Sequence, residues 1–278
     1  MTAALTLGDV LRRATEHLGK TSETARLDAE LLLAHTLGRQ RIELYTDFDR
    51  PLEPSELDGY RELVARRARR EPVAYILGEW GFRRLTLATD PRALIPRPET
   101  EIVVERALAH LHGLEAPRVL DVGTGSGAIA LAIADEHPDA RVTAIDVSPD
   151  ALALARENAA RTGLAIELLE HDLRAGLPGG PYDLVVSNPP YVEPDELPTL
   201  MPDVREFEPH LALVGSGATE AVARTALQAL VAEGWLVLEV GDGQSSATAA
   251  LLGGLGYADV STTPDLTGRD RVVEGRRV

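Results

Sequence analysis

The amino-acid sequence predicts an α/β protein in which a doubly wound parallel sheet follows a small helical bundle and a β-hairpin linker. Helical segments with glycine or proline stops fill the chain up to about residue 70. A glycine-rich turn joins an apolar strand to an apolar helix over 118–134, and a later apolar strand ends in two prolines. We therefore divide the chain into a helical domain over 1–71, a hairpin linker over 72–90 and a sheet domain over 91–278.

Length and composition are those of a globular protein. The 278 residues, 44% hydrophobic and 26% charged, suggest about two domains on a prior of ~150 residues each. The absence of cysteine excludes disulfides, cysteine metal ligands and a thiol nucleophile, and no metal-ligand cluster stands out. No apolar run approaches the ~20 residues of a membrane span, and Met1 to Ala4 do not begin a signal-peptide pattern. We therefore expect a cytoplasmic protein without membrane contact.

The net charge of −16 lies almost wholly beyond residue 90, because residues 1–90 hold 14 basic and 15 acidic side chains. An acidic body argues against direct nucleic-acid binding, since neutralising phosphates supplies most of that affinity. The densest basic run consists of Arg61, Arg66, Arg67, Arg69 and Arg70. Two interpretations stay open: a solvated helix face paired with Glu62 and Glu71, or a contact surface for RNA or an acidic partner.

Helical periodicity covers residues 5–70. Apolar residues recur at helical spacing over 7–18, 25–37 and 57–64, and Gly19 and Gly38 follow the first two segments as C-terminal stops. His17 and His35 are isolated, which indicates structural roles. These segments predict a small bundle without a catalytic set of residues.

The hairpin linker follows the bundle. Segments 73–78 and 82–87 predict its two strands, with Glu79, Trp80 and Gly81 in the turn region. A proline-rich extended stretch then leads into a helix that begins near Ile102. One interpretation is that Glu99 and Glu101 only place negative charge at the helix N-terminus, which favours the helix. The other is a functional role for the stretch.

The turn after the first strand of the sheet domain predicts a ligand site. The strand over 118–122 is followed by alternating glycines and then by an apolar helix over 128–134. Glycines let the backbone pass close to a ligand, and the helix offers free N–H groups there. A second strand over 142–145 ends in Asp146, where a carboxylate would bind ribose hydroxyls. These features imply a cofactor that carries a nucleoside.

The spacing of the glycines distinguishes two cofactors. Dinucleotide folds use G-x-G-x-x-G, whose turn admits a pyrophosphate, whereas here Asp121 stands inside the strand and Gly123, Gly125 and Gly127 alternate. The Asp121 carboxylate would repel a pyrophosphate but suits the ammonium or sulfonium of a methionine moiety. We therefore predict S-adenosylmethionine, with S-adenosylhomocysteine as the product, rather than NAD.

The third and fourth strands lead to further candidates at the same edge of the sheet. After the strand over 166–169, the Asp172 carboxylate would accept from the adenine amino group and Leu173 would pack on the ring. Open α/β sheets bind ligands at the carboxyl ends of parallel strands, so all these loops should share one crevice. The predicted cofactor-binding residues are Gly123, Thr124, Gly125, Ser126, Gly127, Asp146, Asp172, Leu173 and Asn188.

The fourth strand, over 182–186, ends in Ser187-Asn188-Pro189-Pro190-Tyr191. Two prolines must stop it, because each lacks a ladder donor and forces the residue before it into an extended conformation. A proline-terminated turn is one interpretation. The other is a binding site for a planar group with two N–H donors. The Asn188 side-chain oxygen and the rigid Pro189 carbonyl would each accept one of these hydrogen bonds. The tail then predicts helices over 221–231 and 245–252, a strand over 234–240, and paired edge strands over 258–261 and 271–273.

Four segments taken together resemble the peptide chain release factor N5-glutamine methyltransferases, the PrmC/HemK family. They are Arg97-Pro98-Glu99-Thr100-Glu101, Asp121-Val122-Gly123-Thr124-Gly125-Ser126-Gly127, Asn188-Pro189-Pro190-Tyr191 and Asp265-Leu266-x-Gly268-x-x-Arg271. The resemblance covers essentially the whole chain and implies a class I S-adenosylmethionine-dependent methyltransferase domain with a Rossmann-like sheet. One segment departs from the family pattern: Gly215 to Glu220 replaces the usual Gly-x-Asp-Gly-Leu.

The resemblance implies methylation of the side-chain amide nitrogen of the glutamine in the Gly-Gly-Gln motif of class 1 release factors. Asn188, Pro189 and Tyr191 are the expected catalytic residues, and Pro190 joins them in binding substrate. We expect a monomer whose N-terminal helices dock the release factor. Two alternatives stay open: an N6-adenine or N2-guanine nucleic-acid methyltransferase, which shares the Asn-Pro-Pro-Tyr element, and a partner-binding module that keeps the fold without activity.

Overall fold

A computed structural model of the protein describes residues 5–278, so the expectation about Met1 to Ala4 lies outside the described residues. The chain forms two compact units. The first contains the described residues up to Gly78 together with Met201–Phe207, and the second contains Glu79–Leu200 and Glu208–Val278. Within the described part of the chain, no helix is both long and apolar enough to cross a bilayer.

The first unit is helical, as the sequence predicted. Its helices are α1 (Leu7–Leu18), α2 (Ala25–Leu37), α3 (Pro54–Ala68) and α4 (Val73–Leu77), with a 3-10 segment at Arg41–Thr46 and a later helix, Pro202–Phe207, labelled α8 in chain order. Thr6 caps α1, accepting a hydrogen bond from the Asp9 amide at 3.2 Å. Leu11 of α1 and Leu32 of α2 are almost or completely buried, so these helices share an apolar core.

The prediction of a strand over 73–78 is wrong, because Val73–Leu77 forms α4. Pro72 precedes the helix and its carbonyl accepts from the Ile76 amide at 3.0 Å, while Gly78 ends it with a φ of +74°. Proline before the first turn and glycine after the last one favour a helix, and they outweigh the β-propensity of the apolar residues between them. The hairpin instead consists of β1 (Glu79–Phe82) and β2 (Leu85–Ala88), so the predicted turn residues lie in β1.

A buried ion cluster within the first unit involves the basic run. Arg67 is 6% exposed; its Nε donates to Asp28 Oδ2 at 2.6 Å and its Nη1 to Asp203 Oδ2 at 2.7 Å. Asp203 lies on α8, which explains why this short segment belongs to the first unit. The interpretation of the run as a solvated face therefore fails for Arg67. It holds in part for Arg66, whose Nε donates to the Glu71 carboxylate at 2.8 Å.

The second unit contains a mostly parallel sheet with the strand order β5-β4-β3-β6-β7-β9-β8. Beyond the hairpin, its strands are β3 (Arg118–Val122), β4 (Arg141–Asp146), β5 (Glu167–Glu170), β6 (Tyr182–Ser187), β7 (Leu230–Glu239), β8 (Tyr257–Pro264) and β9 (Asp270–Arg277). Its helices are α5 (Thr100–Leu111), α6 (Ala128–Glu136), α7 (Pro149–Thr162), α9 (His210–Leu213), α10 (Ala218–Ala229) and α11 (Ser245–Leu255). Strands β8 and β9 pair as predicted, but only β8 lies at the edge, because β9 also pairs with β7.

Alternating side chains of the central strands enter two cores, one on each face of the sheet. Val119 and Leu184 pack in the cluster that holds the apolar faces of α5 and α6. Leu120 and Val185, one residue further along their strands, pack in the cluster that holds α10 and α11. Successive side chains of a strand point to opposite faces, so strands that are apolar throughout require helices on both sides. The doubly wound fold predicted from the sequence is confirmed.

Replacing Arg67 by alanine should destabilise the protein by about 3–5 kcal/mol, because the change removes the guanidinium that neutralises the buried Asp28 carboxylate and leaves it with the Ser22 and Thr24 hydroxyls as donors. Replacing Arg61, whose pair with Asp58 is exposed, should change stability by no more than about 0.5 kcal/mol. Urea unfolding of both variants beside the wild type measures the difference. Equal stabilities of the two variants would show that the cluster does not hold the first unit together.

Candidate active site

The glycine turn and the Asn-Pro-Pro-Tyr segment leave the sheet side by side. Strands β3 and β6 are parallel neighbours, and Val122 is paired with Ser187 at their carboxyl ends. The Ser187 hydroxyl donates to the Val122 carbonyl at 2.7 Å, adding a side-chain hydrogen bond to the ladder. The loops that begin at Gly123 and Asn188 therefore start from adjacent points of one edge.

The glycine turn has backbone angles that favour glycine. Gly123, Gly125 and Gly127 have φ values of +73°, +56° and +83°, a region that other residues adopt at a cost. A Cβ at Gly127 would lie 3.3 Å from Ala155 Cβ, whereas one at Gly123 would meet no heavy atom within 4 Å. Gly127 therefore allows the start of α6 to pack closely against α7, and Gly123 leaves open space beside the turn.

Asp121 places a buried carboxylate beneath the turn. Its side chain is completely buried, and Oδ2 accepts from the Thr124 hydroxyl at 2.6 Å and the Ala130 amide at 3.2 Å. Oδ1 has no hydrogen-bond partner within residues 5–278. Burial raises the pKa of Asp121 to about 7. An unpaired buried oxygen is costly, and a cationic ammonium would satisfy it, so this site fits the predicted cofactor.

Asp146 connects the end of β4 to the glycine turn. Its Oδ2 accepts from the Gly125 amide and its Oδ1 from the Ser148 amide, each at 2.9 Å. Burial raises the pKa of this carboxyl. Each carboxylate oxygen has a second acceptor position, so these contacts leave capacity for the ribose hydroxyls expected from the sequence. The sequence did not reveal that Asp146 also shapes the turn.

The loop after β5 is more exposed. Asp172 Oδ1 accepts from the Arg174 amide at 2.9 Å and caps a 3-10 turn, Leu173–Ala175. Leu173 is half-buried against the core on the α10 side of the sheet. Because β5, β4, β3 and β6 are consecutive in the sheet, all predicted cofactor and substrate residues lie at or just beyond four neighbouring strand ends.

Asn188 takes part in a hydrogen-bond chain that the sequence did not predict. Its Nδ2 donates to Thr100 Oγ1 at 3.2 Å, and Thr100 Oγ1 donates to Glu239 Oε2 at 2.6 Å. Thr100 and Glu239 are both buried. The Tyr191 hydroxyl lies 3.5 Å from Glu239 Oε1, so the chain reaches two residues of the Asn-Pro-Pro-Tyr segment. A glutamate inside the apolar run 236–240 was the one sequence feature that could have indicated it.

Gly215 lies directly against the Asn-Pro-Pro-Tyr segment. A Cβ at this position would come within 2.4 Å of Pro190 Cγ and 2.7 Å of the Pro190 carbonyl oxygen. The Val192 amide donates to the Leu213 carbonyl at 3.0 Å and holds the segment before Gly215 beside the Asn-Pro-Pro-Tyr segment. Although the segment from Gly215 to Glu220 departs from the family pattern, it retains the glycine that this approach requires.

The Arg-Pro-Glu-Thr-Glu stretch contributes side chains to several contacts. The Arg97 guanidinium pairs with Glu208, whose other carboxylate oxygen accepts from the Ile95 amide at 3.3 Å. Glu101 accepts from the Arg83 amide in the hairpin turn at 2.9 Å. With Thr100 bonded to Asn188, this stretch anchors the Asn-Pro-Pro-Tyr segment and the hairpin, so its role is more than placing charge at a helix N-terminus.

Comparisons with known proteins agree with this architecture. Residues 9–78 match the PrmC N-terminal domain family and residues 100–204 match the Methyltransferase small domain family. The release factor glutamine methyltransferase of Geobacter sulfurreducens is 44% identical over 261 residues, which cover 92% of this chain and 91% of the relative. That of Deinococcus radiodurans is 44% identical over 278 residues, 98% of each chain.

A solved structure supports the fold alone. A 16S rRNA methyltransferase from T. thermophilus, in complex with AdoMet and guanosine, superposes with a TM-score of 0.53 at 17% identity over 72% of this chain and 50% of that one. Family membership instead rests on the relatives that are 44% identical along nearly the whole sequence, with both family matches in their expected places. This chain belongs to the release factor glutamine methyltransferases.

Proposed function

We propose that this chain transfers a methyl group from S-adenosylmethionine to the side-chain amide nitrogen of the glutamine in the Gly-Gly-Gln motif of class 1 release factors. The observation that carries the proposal is the placement of Asn188 beside the glycine turn, with Nδ2 bonded to Thr100 and Oδ1 left to accept. The family and the separate helical unit support it.

The ends of the strands hold the cofactor. Asp146 accepts from the ribose hydroxyls, Asp172 accepts from the adenine amino group, and Leu173 packs on the ring. Asp121 Oδ1, which has no donor among residues 5–278, accepts from the ammonium of the methionine moiety. When bound, S-adenosylmethionine supplies an electrophilic methyl group on a sulfonium. The residues of the turn that line this site are Gly123, Thr124, Gly125, Ser126 and Gly127, with Asn188 at its end.

Asn188 and its neighbours activate the substrate amide. An amide nitrogen is a weak nucleophile, because its lone pair is delocalised into the carbonyl. Asn188 Oδ1 and the Pro189 carbonyl each accept one N–H of the glutamine, which fixes the nitrogen and favours the positive charge that develops on it. The adjacent prolines keep these acceptors rigid. The Tyr191 ring stacks on the amide plane and faces the cationic methyl.

The helical unit docks the release factor. A groove of about 240 Å³ in this unit is lined by apolar residues of α1 and α3 and by the basic side chains of Arg13 and Arg61. A surface that combines apolar area with arginine suits a protein partner. Because the rest of the chain carries most of the negative charge, we propose a protein substrate without direct nucleic-acid binding, and a monomeric enzyme that acts in the cytoplasm.

The proposed function is tested by mass spectrometry of a class 1 release factor after incubation with the enzyme and S-adenosylmethionine. We expect a gain of one methyl group on the glutamine of the Gly-Gly-Gln motif and on no other residue. Duplex DNA and ribosomal RNA are incubated in parallel with labelled cofactor. Label in nucleic acid but not in the release factor would overturn the proposal in favour of a nucleic-acid methyltransferase.

Replacing Asn188 by alanine should abolish methyl transfer while cofactor affinity stays within roughly tenfold of the wild type, because the change removes an acceptor for the substrate amide. Single-turnover assays measure transfer and calorimetry measures cofactor binding. A large loss of cofactor affinity would mean that Asn188 serves mainly the cofactor.

Replacing Gly215 by alanine should lower kcat about tenfold or more, because the new Cβ would overlap Pro190 and displace the acceptors beside it. Gly254→Ala is the matched control, since a Cβ at Gly254 would meet no heavy atom within 4 Å. It should leave kcat unchanged. If Gly215→Ala behaves like the control, the close approach does not position the motif.

Reversing both charges of the groove, Arg13→Glu with Arg61→Glu, should raise the KM for the whole release factor by roughly tenfold and leave the KM for a short Gly-Gly-Gln peptide unchanged. The control is Arg12→Glu with Arg69→Glu, which changes the net charge equally at residues that do not line the groove. Equal effects on protein and peptide would contradict docking at this groove.

A further inference from the structure

The hydrogen-bond chain behind Asn188 ends in a buried carboxylate. Glu239 lies at the end of β7 and is 1% exposed, and Thr100 begins α5 and is 5% exposed. Only the threonine hydroxyl separates the carboxylate from the Asn188 amide, with donor–acceptor distances of 2.6 and 3.2 Å. A buried charge that pairs with a neutral hydroxyl rather than an arginine is costly. The cofactor and substrate contacts proposed above do not account for it.

Which group donates and which accepts in the hydrogen bonds of Asn188, Thr100 and Glu239 follows from the chemistry of these side chains. An ionised carboxylate only accepts hydrogen bonds, so the Thr100 hydroxyl must donate its single proton to Glu239. Toward Asn188, the same hydroxyl can then only accept. The amide must therefore turn its NH₂ group toward Thr100, and Oδ1 must face the other way.

A protonated Glu239 would remove this constraint. The carboxylic acid could donate to Thr100 Oγ1, and the threonine proton would be free to point toward Asn188. The amide could then rotate to place Oδ1 toward Thr100, leaving Nδ2 to face a substrate amide that also offers N–H groups. Two donors cannot form a hydrogen bond with each other, so the rotated amide does not hold the substrate.

We propose that Glu239 and Thr100 are positioning residues that fix the orientation of the Asn188 amide so that Oδ1 faces the substrate glutamine. The proposal rests on the proposed function of Asn188 as an acceptor for that glutamine. Thr100 and Glu239 act through Asn188 and are not among the substrate and cofactor contacts proposed above.

The ionisation of Glu239 should therefore control the reaction near neutral pH. Burial raises the pKa of its carboxyl to about 7, a rise that the Thr100 hydrogen bond and the Arg271 guanidinium oppose. Glu99 also faces this carboxyl and favours its protonated form, and the Tyr191 hydroxyl lies beside Oε1. Because the ionised form fixes the productive amide, activity is lost as pH falls through about 7 and is complete well above it.

The kinetic test compares two substitutions at Thr100 with a control. Thr100→Val removes the hydroxyl and keeps the shape, Thr100→Ser keeps the hydroxyl, and Thr225→Val removes a threonine hydrogen bond within α10. With a Gly-Gly-Gln peptide, we expect kcat to fall about tenfold or more in Thr100→Val and to stay within about threefold in the other two. Equal losses in Thr100→Val and Thr100→Ser, or none in either, would overturn the proposal.

The pH dependence separates positioning from a merely structural role. The wild type should show an acidic limb in the pH profile of kcat with an apparent pKa near 7. Glu239→Gln should lack that limb, because the glutamine at position 239 does not titrate. A Glu239→Gln profile with the wild-type limb would overturn the assignment of that limb to Glu239.

A measurement on the protein alone keeps this proposal separate from the proposed function. In ¹⁵N-labelled enzyme, the side-chain N–H resonances of Asn188 should shift with pH around a midpoint near 7, and the shift should vanish in Thr100→Val. Absence of the shift in the wild type would overturn the proposal even if release factor is methylated. Its presence in an enzyme that does not methylate release factor would support the orientation of the Asn188 amide by Thr100 and Glu239 and would refute the proposed function.

Discussion

The parallel pairing of β3 with β6 is the constraint on which the proposed site depends. The register places Val122 opposite Ser187, so the turn that begins at Gly123 and the segment that begins at Asn188 start from neighbouring positions. A shift of one residue would turn every side chain of β6 to the opposite face, so that Leu184 and Val185 would exchange cores and lose their present packing partners. The packing of both cores therefore fixes the register and, with it, the edge of the sheet at which the substrate amide and the methyl donor are proposed to meet.

Two buried carboxylates lie behind this edge of the sheet and have different proposed roles. Asp121 lies under the glycine turn, where Oδ1, which has no donor in the described part of the chain, suits a cation. Glu239 lies behind Asn188, and the Thr100 hydroxyl is hydrogen-bonded to both the Glu239 carboxylate and the Asn188 amide. In both, burial raises the pKa to about 7. Carboxyl groups whose pKa desolvation raises this far are typical of functional sites, and burying them in the ionised form lowers the stability of the folded protein.

The sequence predicted the sheet domain well, because its turns and strands carry local signals: alternating glycines before α6, paired prolines after β6, and apolar runs of strand length. It failed at Val73–Leu77, where the apolar residues suggested a strand but the flanking Pro72 and Gly78 favour a helix. It also missed the partners of Asn188. Thr100 and Glu239 are separated from it by tens of residues, and only the packing of α5 against the sheet brings them together.

The most direct test of the shared site is a crystal structure of the enzyme with S-adenosylhomocysteine and a Gly-Gly-Gln peptide. The glutamine amide nitrogen should lie within about 3.2 Å of both Asn188 Oδ1 and the Pro189 carbonyl oxygen, facing the sulfur of the cofactor product. A peptide glutamine bound elsewhere, or a cofactor product bound away from the turn that begins at Gly123, would contradict the account.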